Sequence, residues 1–336
     1  MKKLVSTLSL VLVAVTLLMG CKGKKSLFTP AASGRPYELL VVIGDAMWDQ
    51  PAGRAIFDVL DTDVPGLPQS ERSFRLMHCS QKNYDATMRL LRNIIKVNID
   101  DKMYTQAKMS VSHDVYASPQ LMLKIQAPNQ ASFAEYVSKN KKQILDVFNR
   151  AEMSRQIAQL KKGHSPMISS KVDSLFGCDI WLPSEMQSSK VRKDFLWAAT
   201  NTATGDLNFV MYSYPFVTDS TFTQKYFIEK RDSFMKANIP GASFGSYMKT
   251  DSRFVSTHAI DINGEYCQVN RGLWCVNGDH MGGPFVSHTM IDREHARVIT
   301  SEVFVYSPDR PKRNLIRRIE ASLFTLQLPE GLKNKK

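Results

Sequence analysis

Two long arms, Arg253–Ile262 and Glu265–Val276, are joined by Asn263-Gly264, and no other feature limits the fold as much. Asn-Gly supplies two residues that tolerate positive φ, which a two-residue type I′ hairpin demands. Apolar runs at Phe285–Ile291 and Arg297–Tyr306 follow at strand length. The segment Lys312–Leu326 then places Leu315, Ile316, Ile319 and Leu323 at helical spacing, with Lys312, Arg313 and Arg317 on the other face. This end of the chain is therefore predicted to be an antiparallel meander over 253–306, covered by a C-terminal helix.

Upstream, helix and strand patterns alternate, which makes the fold class α+β with two mixed α/β lobes. In the first lobe, strands are expected at Tyr37–Ile43, Phe74–Cys79, Asn93–Ile99, Thr105–Val111 and Leu121–Gln126, and helices at Pro51–Leu60 and Tyr84–Leu91. A long helix from Ala131 to Lys162 is expected to open on a Ser132/Glu135 capping box. In the second lobe, a helix stops at Gly177 and strands follow at Cys178–Leu182, Phe195–Ala199 and Leu207–Tyr214, then a helix at Phe222–Ala237. The order of elements in the two halves echoes, as a diverged duplication would. The boundaries read as a signal peptide over 1–20, a lipidated linker over 21–35, an N-terminal lobe over 36–162, a C-terminal lobe over 163–328 and a basic tail over 329–336.

The N-terminus carries an address. Lys2 and Lys3 precede the uncharged, mostly aliphatic stretch Leu4–Leu18, which is too short for a spanning helix of ~20 residues. Leu18-Met19-Gly20-Cys21 then reads as a lipobox, with a slim residue before a thiol that can carry fatty chains such as palmitate. Two or three chains anchor stably where one does not. Lys22 follows Cys21 where an inner-membrane retention signal would place Asp, so the expectation is a lipid anchor in the outer membrane of a Gram-negative envelope, facing the periplasm.

The formal net charge is +12, from 44 Lys+Arg against 32 Asp+Glu. The excess sits at the ends. Lys22, Lys24, Lys25 and Arg35 face no acid in the linker, and the last thirty residues hold five more bases than acids. The body between them is nearly neutral, whereas a nucleic-acid groove needs clustered cations on the folded surface. No nucleic-acid partner is implied. The partners expected are membrane lipid through acylated Cys21 and an envelope protein or a glycan. Cys79, Cys178, Cys267 and Cys275 show no CxxC spacing; two disulfides are permitted but not required. A continuous strand over Glu265–Val276 would hold Cys267 and Cys275 ~26 Å apart and favours free thiols.

The candidate binding loop is Arg271, Trp274, Asp279, Met281, Gly282, Gly283, Pro284 and Phe285. A Gly-Gly-Pro connection lets a ligand approach the backbone, and Trp274 could stack on a sugar ring; the same residues also serve as a plain strand connection. His258, His280, His288 and His295 crowd the region, but their spacings do not suit a metal site, and neither a phosphate loop nor a nucleophile elbow is present. No metal and no cofactor are implied. Arg231-Asp232 reads as a buried pair, an anion site or, most simply, a solvated helix face.

Several pieces occur together: the lipobox, Tyr37-Glu38-Leu39-Leu40-Val41-Val42, Trp48, Pro65-Gly66-Leu67-Pro68-Gln69, Arg92-Asn93-Ile94-Ile95, Arg231-Asp232, Ser246-Tyr247-Met248, Arg271-Gly272-Leu273-Trp274 and Met281-Gly282-Gly283-Pro284-Phe285. In these the chain resembles an uncharacterised Bacteroidetes lipoprotein family known only as a domain of unknown function. The resemblance implies an envelope lipoprotein and brings no catalytic residue with it. The expected function is a non-catalytic binding or assembly factor. The alternative is a hydrolase or sugar-active enzyme built on Trp274, Asp279, His280 and His288.

Overall fold

The computed structural model describes residues 29–200, 202 and 205–329. The signal stretch, Cys21 and residues 330–336 of the basic tail lie outside them. Among the described residues no helix is long and apolar enough to cross a membrane.

The first lobe is built on a five-stranded sheet in the order β2-β1-β3-β5-β4. Its strands are β1 (Glu38–Val42), β2 (Arg75–Cys79), β3 (Asn93–Ile99), β4 (Lys108–His113) and β5 (Leu121–Ala127). β1 pairs in parallel with β2 and β3, and β3 with β5, while β4 closes one edge antiparallel to β5. A central parallel strand is covered on both faces, hence the unbroken apolar run in β1. Leu39 and Val41 pack towards α2 (Pro51–Leu60), α3 (Gln130–Lys139) and α4 (Lys141–Lys162), whereas Leu40 and Val42 pack with Cys79, Tyr84 and Met122. A four-residue turn of helix, α1 (Asp45–Trp48), precedes α2.

The second lobe carries a seven-stranded antiparallel sheet in the order β6-β7-β8-β12-β11-β10-β9. These are β6 (Ser188–Arg192), β7 (Phe195–Ala199), β8 (Asp206–Pro215), β9 (Tyr247–Ile262), β10 (Glu265–Asn277), β11 (Gly282–Asp292) and β12 (Arg297–Tyr306). Asn263 and Gly264 have φ of 57° and 88°, as the type I′ turn requires. One face is covered by α5 (Pro166–Phe176) and α7 (Arg313–Leu323), the other by α6 (Gln224–Asn238). The fold is α+β, and the meander is covered by the C-terminal helix.

Several expectations change. Tyr84–Leu91 is not a helix; only a 3-10 turn forms at Met88–Leu90. The long helix is two, broken at Asn140, and the N-cap is Asn129, whose side chain accepts from Ser132 N, rather than Ser132 itself. Cys178–Leu182 is extended but joins no sheet; Asp179 makes a single bridge to Gln327. One sheet is mostly parallel and the other antiparallel, so the echo along the chain is not a repeated topology.

Lys312, Arg313 and Arg317, expected on the solvated face of α7, turn to the first lobe instead, while Arg318 stays exposed. Glu71 in the first lobe accepts from the backbone of Lys312 (2.6 Å) and Arg313 (3.0 Å), capping α7 with a carboxylate. Arg317 is 8% exposed and donates to Ser73 O at 2.9 Å, and its guanidinium lies over Tyr37. A carboxylate on the first N–H groups also meets the positive end of the helix dipole. Glu71→Ala is expected to cost ~1–2 kcal/mol, a cap lost at a partly buried joint, read as a lower urea midpoint; a midpoint equal to wild type would mean the cap carries no weight.

Candidate functional site

The Gly282-Gly283-Pro284 segment is strand where a loop was expected. β11 begins at Gly282, so Gly282, Gly283, Pro284 and Phe285 pair with Cys275, Trp274, Leu273 and Gly272 of β10. Only the turn 278–281 is loop. The reason is packing. A Cβ at Gly283 would sit 2.1 Å from Val305 O and 3.0 Å from Trp274 Nε1, and one at Gly272 would sit 2.9 Å from the Phe285 ring. The glycines therefore admit two aromatic side chains to the sheet, and Gly282 and Gly283 also line the groove at the turn.

The expected site residues part company. Trp274 is buried, donates from Nε1 to Val305 O at 3.3 Å and packs edge-on against Phe304, so its ring is no free platform. Phe285 is buried against Phe227, beneath α6. Arg271, three residues before Trp274, points to the opposite face, where it pairs with Glu320 of α7. His288 is buried on that same face against Phe324. His280 is exposed in the turn and Asp279 is half-buried, its Oδ1 accepting from the His280 backbone. The sheet thus separates His288 from Trp274, while Trp274, Asp279 and His280 of the enzyme alternative line one groove. What the hairpin does offer is an open groove of about 540 Å³ between its turn and the Pro68-Gln69 segment of the first lobe, with Asp251, Asp279, His280 and Lys312 on its walls.

The thiols are poor nucleophiles. Cys267 and Cys275 stand on one strand, and all four cysteines of the body are free. Burial pushes Cys178 and Cys267 up to about 12, and Cys275 also upward, so the thiolate is suppressed. Among the described residues no group of three His, Cys, Asp or Glu is placed to hold a metal ion.

A charged pair that sequence reasoning missed lies beneath α6. Arg231 is not on a solvated face: it is fully buried and forks onto Glu302 of β12, with Nε at 2.9 Å and Nη2 at 2.8 Å. Its Nη1 donates to Thr250 Oγ1, and its guanidinium lies 4.2 Å from the centre of the Phe285 ring. Burial raises the Glu302 pKa and Arg231 opposes it, leaving it above the ordinary value. The available signal was a lone acid inside the apolar run Arg297–Tyr306.

Residues 165–325 match the family model described as a domain of unknown function (DUF4837). Residues 32–161 match a second, likewise a domain of unknown function (DUF8532). No curated protein matches the chain. The groove, the hairpin and the Arg231–Glu302 pair are built mainly from the DUF4837-matching part, with Pro68-Gln69 contributed by the other.

These assignments separate structural from surface residues. Trp274→Ala should cost ~3–5 kcal/mol and His280→Ala less than ~0.5, compared by denaturant titration; equal effects would contradict the packing described. Glu302→Gln leaves a buried guanidinium without its carboxylate and should cost ~3–5 kcal/mol, measured in the same way. His288 gives a pH signature, because burial first, then the Arg271 charge and His258, hold its pKa down at about 3. The unfolded chain takes this proton near pH ~6.5 and the folded chain refuses it. The stability that neutral His288 contributes is therefore complete above that pH and is lost as pH falls towards 3, by at most ~1.4 kcal/mol per unit. His288→Gln should show a smaller fall in urea midpoint between pH 7 and pH 4.5 than wild type; parallel curves would refute it.

Proposed function

We propose that this chain is a lipid-anchored lipoprotein of a Gram-negative outer membrane, facing the periplasm and acting as a non-catalytic binding or assembly factor. The observation that carries the tether is the sequence itself: an uncharged stretch after Lys2-Lys3, closed by Leu18-Met19-Gly20-Cys21. The bases around Cys21 suit anionic headgroups, where each contributes ~1 kcal/mol.

Support for binding over catalysis comes from how the most distinctive residues are used. Trp274 and Phe285 are buried, with Trp274 and Gly283 reaching only the edge of the groove, and His288 is on the other face from Trp274. The surface left at the hairpin is the groove beside Pro68-Gln69, which both lobes wall. An envelope protein or a glycan is the partner this reading assigns to it.

Growth with an alkyne fatty acid tests the tether. Wild type should carry label on its N-terminal peptide and enter the detergent phase of a cloud-point separation, and Cys21→Ser should do neither. An unlabelled wild type would overturn the reading. The groove is tested by recovering the lipidated protein and its His280→Ala/Asp279→Ala variant from solubilised membranes, with Trp274 left intact because its loss would unfold the sheet locally.

A further inference from the structure

The first lobe holds a cavity of about 570 Å³ between α4 and the starts of β3 and β5, in a part of the chain where the sequence suggested no site. Arg92 and Arg155 lie on its floor, and Val111, Leu121, Val147 and Ala151 supply apolar wall. Both arginine side chains are nearly buried, at 11% and 7% exposure. They share one carboxylate. Glu152, fully buried, takes Arg155 Nη1 at 2.7 Å and Arg92 Nη1 at 3.5 Å, and also accepts from Asn93 Nδ2 at 2.7 Å.

Two guanidiniums on one carboxylate leave a positive charge that Asp114 in the cavity lining meets in part and that Arg150 and Lys162 add to again. Arginine cannot shed its proton to relieve this, and a buried unpaired charge is costly. Arg155 is well held, because its Nη1 also reaches Asn93 Oδ1 and its Nη2 reaches Arg92 O. Arg92 is not: its Nε is shielded from solvent and has no hydrogen-bond partner. The single acid in the cavity lining is Asp114, and its Oδ1 already accepts from Gln120 N at 2.9 Å. Arg150 and Lys162 line the cavity as well and keep its sign positive, although Arg150 also approaches Asp146 at 3.8 Å. A half-satisfied guanidinium beside an apolar wall is suited to an oxyanion carried on a hydrocarbon body.

The position of the chain's start narrows the source. Residues 30–33 lie against the cavity's own wall: Ser118 N donates to Pro30 O, Ala32 N to Ser118 O, and Arg92 N to Ser33 O at 3.0 Å. Pro119, next to Ser118, lines the cavity. Eight residues lie between Cys21 and Pro30, a reach of at most ~32 Å. On the lipoprotein reading, a tether this short keeps the cavity near phosphate headgroups.

We propose that this cavity binds a phosphate headgroup carried on an alkyl chain, with Arg92 and Arg155 holding the phosphate and the Val111–Leu121–Val147 wall holding the chain. The proposal rests on the tether reading only for its choice of a membrane amphiphile over free phosphate. The test therefore uses the mature chain from residue 21 onward, made without its leader and carrying Cys21→Ser, so that binding is read without acylation. Calorimetric titration below the aggregation threshold should show saturable one-to-one binding of dodecyl phosphate. Inorganic phosphate and dodecyl maltoside should each bind at least tenfold more weakly. Arg92→Gln should weaken dodecyl phosphate at least tenfold with an unchanged circular dichroism spectrum. Ala151→Trp, which fills the cavity from its helical wall, should do the same if Arg92→Gln fails to fold.

Absence of saturable binding, or undiminished binding in the folded variants, would overturn the site. Equal affinity for inorganic phosphate would overturn the amphiphile and leave a plain anion as ligand. A wild-type protein that proves unacylated in cells would sink the tether, while these titrations would still decide the cavity.

Discussion

Both lobes depend on one helix end. α7 buries Ile316, Ile319 and Leu323 on the antiparallel sheet, yet the carboxylate on its first N–H groups belongs to Glu71, some 240 residues earlier. Helices of eleven residues are marginal alone. This one is held by tertiary partners on both sides, with Arg317 on Ser73 O, Arg313 on Arg72 O and Arg271 on Glu320. Because the cap and the apolar face belong to different lobes, α7 cannot be complete unless both are present. The groove and the hairpin are fixed by the same joint, since Lys312 Nζ reaches Gln69 Oε1 across it.

How much of this could be read from sequence depends on how local the cause is. The Asn263-Gly264 turn, the helix Pro51–Leu60 and the strands Phe195–Ala199 and Arg297–Tyr306 follow from turn chemistry or an apolar run within a dozen residues. The failures are positions where a distant neighbour decides. Tyr84–Leu91 has helical spacing but sits against a sheet face that already takes Tyr84 as core, and only a turn of 3-10 helix forms. Ser132 and Glu135 fit a capping box, yet Asn129, three residues earlier, captures Ser132 N and moves the start upstream. Ser188–Arg192 has no strong apolar signal because it is an edge strand with two exposed residues at one end.

The site shows the same division. Glycine and proline in Met281–Phe285 look like loop punctuation. Their real constraint is a Trp274 ring and a Val305 carbonyl too close for any Cβ, a contact made across three strands. Periodicity cannot reveal that. A buried pair was among the readings of Arg231-Asp232, but the partner was not visible, because Glu302 lies 71 residues away and only the sheet register brings it beneath α6. The cavity of the first lobe was wholly hidden. Arg92, Gln120 and Arg155 come from a strand start, a loop and a helix, and none of the three is unusual by itself.

The charge distribution then takes on a different meaning. By count the body is neutral, which on average argues against any anionic partner. The average conceals where the charges pair. Arg231 is fully matched by Glu302, and Arg271 by Glu320, whereas buried Arg317 donates to Ser73 O of the first lobe. Arg92 and Arg155 are not matched one for one, because Glu152 serves both. A neutral total assembled from matched pairs, one carboxylate shared by two arginines and a buried Arg317 on a carbonyl is not electrostatically uniform. Since the field of a buried charge is screened far less than that of a surface lysine, two arginines sharing one carboxylate in an apolar-walled cavity weigh more in the proposed anion site than the whole basic linker does.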